Sequence, residues 1–249
     1  MSGVAASSLR RFSPRARARA RIVCFPHAGG SANFYLPLAR ALSPQIDVWA
    51  VQYPGRQDRY AEPSVDDIGT LADRIVTALR LPADLPVAFF GHSMGAVLAF
   101  EVARRWQGRG HVLGALFASG HRAPSISRAG EHVHLRDDGG LIAEIRTLNG
   151  TDVRVFDDDE LLQIVLPALR SDYRAIETYR YVDGPPLDCP IVALVGADDP
   201  HTTVDEARAW ARHTSAEFGL RVFPGGHFYL VEQAAAVTEA VSGYLKSRR

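Results

Sequence analysis

Gly91-His92-Ser93-Met94-Gly95 follows the apolar run Pro86-Val87-Ala88-Phe89-Phe90 and precedes Ala96-Val97-Leu98-Ala99-Phe100-Glu101-Val102-Ala103. The first run reads as a buried strand and the second as a helix of small and apolar residues. Strand, G-x-S-x-G and helix in that order are the context of a nucleophile elbow. The serine sits there on a sharp, strained turn. The two glycines remove Cβ atoms that would collide with the crossing strand and helix. The turn holds the hydroxyl clear of the backbone, and the helix points its first amides toward the reacting centre.

Outward from the elbow, strand-like runs alternate with helical patterns. Ile22-Val23-Cys24-Phe25 is an apolar strand that runs into Pro26-His27-Ala28-Gly29-Gly30-Ser31. Phe34, Leu36, Leu38, Ala39 and Leu42 supply the apolar face of a following helix. A second strand spans Ile46–Val51 and ends at Tyr53-Pro54-Gly55-Arg56. Ser64 reads as the N-cap of the next helix, with Asp66 and Asp67 in its first turn, where negative charge suits the helix dipole. Residues 111–119 form another buried strand. The alternation then lapses from about 120 to 186, a more charged stretch with helical patterns near 141–148 and 159–179. It resumes with a strand at 191–195, a helix near 204–213, a strand at 220–223 and a closing helix over 228–245. The expected architecture is an α/β fold, a mainly parallel central sheet flanked by helices. Residues 1–249 read as one domain, with 1–20 a flexible lead-in and about 120–186 an inserted helical cap, or lid.

Composition narrows the function classes. With 249 residues and 47% hydrophobic content the chain can bury a full core. Its formal net charge is zero, which gives no global signal for nucleic acid or a membrane surface. No apolar stretch is long enough to span a bilayer, and no apolar segment follows Arg10-Arg11 as a targeting signal requires. A cytoplasmic protein is expected. The run Arg15-Ala16-Arg17-Ala18-Arg19-Ala20-Arg21 reads as a solvated lead-in. Cys24 and Cys189, each beside an apolar run, read as small core residues.

A serine hydroxyl needs a base to take its proton, and the base needs a third group to orient it. In an elbow fold the acid and the histidine follow the serine in the chain, on loops after later strands. Gly196-Ala197-Asp198-Asp199-Pro200 and Pro224-Gly225-Gly226-His227-Phe228 occupy those places. His227 is the candidate base, and spacing alone leaves Asp198 and Asp199 both open as its partner. The oxyanion donors are expected to be the amides of Met94, after the nucleophile, and Ala28, in the loop after the first strand. His92 reads as packing around the elbow. His132 and His134 imitate a metal pair, but no third ligand stands at the expected spacing, so no metal or cofactor is expected.

Four segments together resemble the type II thioesterases, the stand-alone editing thioesterases of polyketide and nonribosomal peptide synthesis. They are Phe25-Pro26-His27-Ala28-Gly29-Gly30-Ser31-Ala32, Tyr53-Pro54-Gly55-Arg56-Gln57-Asp58-Arg59, Gly91-His92-Ser93-Met94-Gly95 and Gly225-Gly226-His227-Phe228. The resemblance runs from about residue 21 to 245, and its first two segments are more specific than the elbow. It implies an α/β-hydrolase core with a mobile cap, and a substrate carried as a thioester on the phosphopantetheine arm of an acyl or peptidyl carrier domain. By motif position it implies a triad of Ser93, Asp199 (the aspartate before the proline) and His227, with Ala28 and Met94 as oxyanion amides. Leu148-Asn149-Gly150-Thr151 resembles a cap motif of the family. Arg122, Arg128 and Arg174 are candidates to meet an acidic carrier surface, with ordinary solvated charge as the plain alternative. A monomer is expected. Rival readings are a general carboxylesterase or lipase, an integrated terminating domain, and a non-catalytic synthase-binding protein of the same fold.

Overall fold

Strands whose residues are all buried leave no polar face for water, so they must be covered on both sides. Strands of this kind include β2 (Ala20–Phe25), β4 (Val87–His92) and β5 (Ala115–Ser119), which lie side by side at the centre of the protein. The computed structural model describes residues 8–12, 17–42, 44–128, 130, 132–148 and 159–247. Among them, seven strands form one sheet, completed by β1 (Leu9–Arg11), β3 (Ile46–Val51), β6 (Ile191–Gly196) and β7 (Phe218–Phe223). The order is β1-β3-β2-β4-β5-β6-β7, parallel throughout except for β1, which pairs antiparallel with β3.

The helices are α1 (Leu36–Leu42), α2 (Ile68–Ala78), α3 (Met94–Gly108), α4 (Asp138–Thr147), α5 (Asp159–Thr178), α6 (Val204–Arg208), α7 (Tyr229–Glu232) and α8 (Ala234–Ser247). Ile68, Leu71, Ile75 and Val76 recur on the inner side of α2, which packs on α3 and the sheet. The first half of α3 is buried all round, and its small residues Gly95, Ala96, Ala99 and Ala103 let it lie close under the strands. Leu42 of α1, Tyr229 of α7 and Val237 and Val241 of α8 cover the opposite face. A third, separate apolar cluster joins Val133, Leu141 and Ile145 to Leu166 and Leu169 of α5. This cluster lies within the segment read as a cap. Farther along α5, Ala175 and Ile176 join the sheet core, so one helix serves both clusters.

Several details depart from the sequence expectations. Ser64 is not the N-cap of α2. Residues 63–67 form no regular element, and Asp67, itself extended, caps the helix by accepting a 2.7 Å hydrogen bond from the Thr70 amide. Within the arginine-rich start, Leu9–Arg11 forms an edge strand, and Arg11 reaches Asp47 at 2.9 Å. Arg21 is 1% exposed rather than solvated, donating to Asp47 at 3.1 Å, to the Pro82 carbonyl at 2.7 Å and to Asp84 at 3.1 Å. The closing helix is broken at Gln233 into α7 and α8. Cys24 and Cys189 are buried free thiols.

The capping geometry gives a simple test. Asp67→Ala is expected to lower stability by about 1 kcal/mol, and Ser64→Ala to leave it within about 0.5 kcal/mol, as read from urea unfolding midpoints.

Candidate active site

At the end of β4 the chain turns into α3 through Ser93, whose backbone has φ 55° and ψ −124°. Such a conformation costs a non-glycine residue roughly 1–3 kcal/mol and persists only where the surroundings over-determine it. Here they do. A Cβ on Gly91 would lie 2.0 Å from the Gly95 carbonyl oxygen, and one on Gly95 would lie 2.1 Å from that of Phe25. The Ser93 amide donates to the Ser119 carbonyl at 2.8 Å, which fixes the turn to β5.

The loops after β6 and β7 meet beside the elbow. A Cβ on Gly196 would fall 2.3 Å from the Gly226 carbonyl oxygen, so glycine at the end of β6 admits the histidine loop. Gly225, at φ 110°, turns that loop, and the Asp198 amide donates to its carbonyl at 3.0 Å. His227 Nδ1 then lies 2.9 Å from Asp199 Oδ2. The other carboxylate oxygen of Asp199 accepts from the His201 amide at 2.8 Å. Asp198 is exposed, whereas Asp199 is buried. With Nδ1 donating to Asp199, Nε2 of His227 is left as an acceptor.

A cavity of about 160 Å³ is lined by Ser93, Met94, Ala28 and His227. No hydrogen bond joins the Ser93 hydroxyl to His227, a contact that in such sites tightens when substrate binds. The segment read as a cap supplies polar groups to the same cavity. Arg136 and Glu144 pair at 2.9 Å, and Glu144 also lies 3.4 Å from Nε2 of His201. A larger open groove of about 770 Å³, between Glu101 and Arg180, shares no lining residue with this cavity and holds no serine or histidine. Asn149, Gly150 and Thr151 of the cap motif lie outside the described residues.

Buried histidines lie around His227. His92 is fully buried, its Nδ1 hydrogen-bonded to the Ser119 hydroxyl at 2.9 Å and its ring 5.1 Å from that of His227. Burial, then the charge of His227, holds its pKa well below the usual imidazole value. His27 lies edge-on to Phe34 and Phe228 at 4.6 and 4.9 Å. Burial, reinforced by His227 and Arg56, pushes its pKa down to about 3. His134 bonds to Glu177 and His132 is exposed; among the described residues no group of three His, Cys, Asp or Glu side chains could hold a metal. Of the candidate docking arginines, Arg128 is clamped to Glu206 at 2.9 and 2.6 Å. Arg174 stands 3.2 Å from Asp66, and Arg122 donates to the Ile126 carbonyl at 3.1 Å.

Sequence reasoning missed the capping box of α6, although Thr203-x-x-Glu206 spells it out. Glu206 accepts from the Thr203 amide at 2.8 Å, and its own amide donates to the Thr203 hydroxyl at 3.2 Å. It also missed His201, whose amide holds Asp199; position two residues after the acid was the available signal.

A positive-φ serine between strand and helix, with acid and histidine arriving later from the same end of a parallel sheet, defines an α/β-hydrolase. Comparison with known families narrows the class, for the model described as the thioesterase domain matches residues 20–245. The chain belongs to the thioesterase family. It is 51% identical over 246 residues to a protein named as a probable cadicidin biosynthesis thioesterase of Streptomyces griseus, covering 98% of this chain and 68% of that one. It is 47% identical over 240 residues to thioesterase PikA5 of Streptomyces venezuelae, covering 95% and 85%. Among solved structures it is similar to the type II thioesterase BorB from the borrelidin biosynthetic cluster. There the TM-score is 0.90 at 52% identity, over 98% of this chain and 100% of that one.

The buried histidines predict acid sensitivity. His27 titrates near about 3 in the folded protein, while an unfolded histidine titrates near about 6.5. The unfolded state therefore binds the proton first as pH falls, and stability declines from about pH 6.5 downward. Urea midpoints at pH 7.5 and pH 5 should differ by on the order of 2 kcal/mol from His27 alone, and His27→Leu should shrink that difference.

Proposed function

We propose that the protein is an editing thioesterase that strips aberrant or stalled acyl groups from the phosphopantetheine arms of carrier domains in a polyketide or nonribosomal peptide synthase. The observation that carries this reading is the His227–Asp199 hydrogen bond beside the cavity that Ser93 shares with Ala28 and Met94. Relatives named for cadicidin and borrelidin biosynthesis support the pathway class. In this reading it acts as a cytoplasmic monomer. Among the described residues no helix is long and apolar enough to cross a membrane.

The reaction has two halves. His227 Nε2 takes the Ser93 proton as Oγ bonds to the thioester carbonyl carbon. The carbonyl oxygen, now an anion, lies against the amides of Ala28 and Met94. The tetrahedral centre collapses, the C–S bond breaks, and the pantetheine sulfur leaves as the thiol, taking the proton from His227, which restores Nε2 as a free base. A thiol with a pKa of about 8.5 leaves without strong acid assistance. His227 then takes a proton from water, whose oxygen attacks the acyl-serine carbonyl; the C–Oγ bond breaks, the acid leaves, and His227 returns the proton to Ser93 Oγ. Asp199 holds the ring in the required tautomer and stabilises the imidazolium.

A second cleft, of about 400 Å³, adjoins the catalytic cavity through His121, Arg122, Ile176 and Glu177. It supports a path for the pantetheine arm. Arg180 lies on this cleft, exposed, with its guanidinium donating to the backbone carbonyls of Glu177 and Tyr179. That placement suits an interaction with the arm's phosphate.

The test is hydrolysis of one acyl group presented on a carrier protein, on a small thiol, and as an oxygen ester. Carrier-loaded substrate should turn over fastest. Ser93→Ala and His227→Gln should lose at least roughly 10³-fold in kcat. Oxygen-ester turnover equal to that on the carrier would make the protein a general esterase, and a folded protein unlabelled by a serine-directed phosphonate would make it a binder. Arg180→Glu should reduce kcat/KM about tenfold on the carrier substrate and leave the small thioester unchanged.

A further inference from the structure

The loop that carries Ala28 is held by a charge pair whose two members come from distant parts of the chain. Arg56, on the loop after β3, is 9% exposed, and Asp172, in the middle of α5, is 1% exposed. Their contact is a two-pronged fork, with Nη1 on Oδ2 at 2.6 Å and Nη2 on Oδ1 at 2.8 Å. Each member also grips the backbone next to Ala28. The Gly29 amide donates to Asp172 Oδ2 at 2.8 Å, and Arg56 Nη1 donates to the Gly30 carbonyl at 3.1 Å. Two paired side chains thus close on one short stretch of backbone.

The rest of the loop is tied to the same neighbourhood. The Tyr53 hydroxyl donates to the Pro26 carbonyl at 2.9 Å, and Arg56 stacks over the Tyr53 ring at 5.2 Å. The Ala32 amide donates to Gln52 at 3.1 Å. Gly29 has φ +75°, and a Cβ there would lie 2.6 Å from Leu169 Cδ1, so α5 rests directly on the loop. Leu169 belongs to the apolar cluster of the cap.

We propose that Arg56 and Asp172 are positioning residues that set the orientation of the Ala28 amide and make it depend on α5 being seated. This rests on the reading of Ala28 as an oxyanion donor. If α5 lifts, Asp172 leaves, the Gly29 amide loses its acceptor, and Arg56 is left as a buried charge without its partner. An unpaired buried charge is strongly unfavourable, so the loop rearranges rather than keep its geometry. The oxyanion site is therefore assembled by a helix that also lines the catalytic cavity, through Tyr173, Ile176 and Glu177. Thioester is activated with α5 seated on the loop and is spared without that contact.

The experiment compares Asp172→Asn, Arg56→Lys and the apolar pair Arg56→Met/Asp172→Leu with the unaltered protein, using a small-thiol thioester. Each variant should lose about 10²–10³-fold in kcat, the scale of one oxyanion donor, with KM within about threefold. Affinity for an aryl boronic acid, which forms a tetrahedral anion on the serine, should fall in parallel with kcat. Affinity for an unreactive acyl-pantetheine amide should stay level. The apolar pair removes the stranded charge, so its thermal midpoint should recover toward that of the unaltered protein while its rate stays low. Unaltered kcat in any well-folded variant would overturn the proposal, as would recovery of rate together with stability in the apolar pair. Ser93→Ala in the same assay separates the two failures. If it is active, the reading of the site as a serine thioesterase falls. If it is dead while Asp172→Asn is fully active, only the positioning role falls.

Discussion

Three backbones converge where Gly95 of α3 passes beneath the Phe25 carbonyl and beside Gly91 of β4, with no space for a single additional carbon. That approach seats the start of α3 under the ends of β2 and β4. Because it does, the loop after β2 and the first turn of α3 border one cavity, and their amides can face one point. The same approach sustains the backbone strain at Ser93, which no isolated turn would hold. The parallel order of β4, β5, β6 and β7 then delivers the acid and histidine loops to the same end of the sheet.

Electrostatics around the site follow from burial. His27, His92 and His121 stand close to the base, and burial keeps each of them neutral well below ordinary imidazole values. His227 itself is bonded to the carboxylate of Asp199, and the His201 ring lies 5.5 Å from its own. On the far side of Ala28, Arg56 and Asp172 balance each other and leave the loop without net local charge. Around Ser93 the cavity thus combines neutral buried rings with the charged side chains Arg136, Glu144 and Glu177 of the segment read as a cap.

Much of this was readable in the residues because the signals are local. The elbow is spelled by five consecutive residues and framed by apolar runs of opposite period, and the acid and histidine loops follow apolar strands. What escaped notice depends on distance along the chain. Arg21 looked solvated because its partners Asp47 and Asp84 lie 26 and 63 residues away. Asp172 sits inside an amphipathic helix, and only the fold brings it to Arg56, 116 residues earlier. The misplaced N-cap has a different cause. Ser64 and Asp67 are both capping types in one short stretch, and the choice between them is made by the chain's extended entry into α2.

The apolar cluster shared by α4 and α5 is separate from the two that flank the sheet. Leu141 and Ile145 of α4 belong to that cluster alone and can change without touching the strands, whereas α5 joins both the cluster and the sheet core. Heritable changes on these two helices therefore carry unequal risk, and a lineage can vary the inner face of α4 more freely than that of α5.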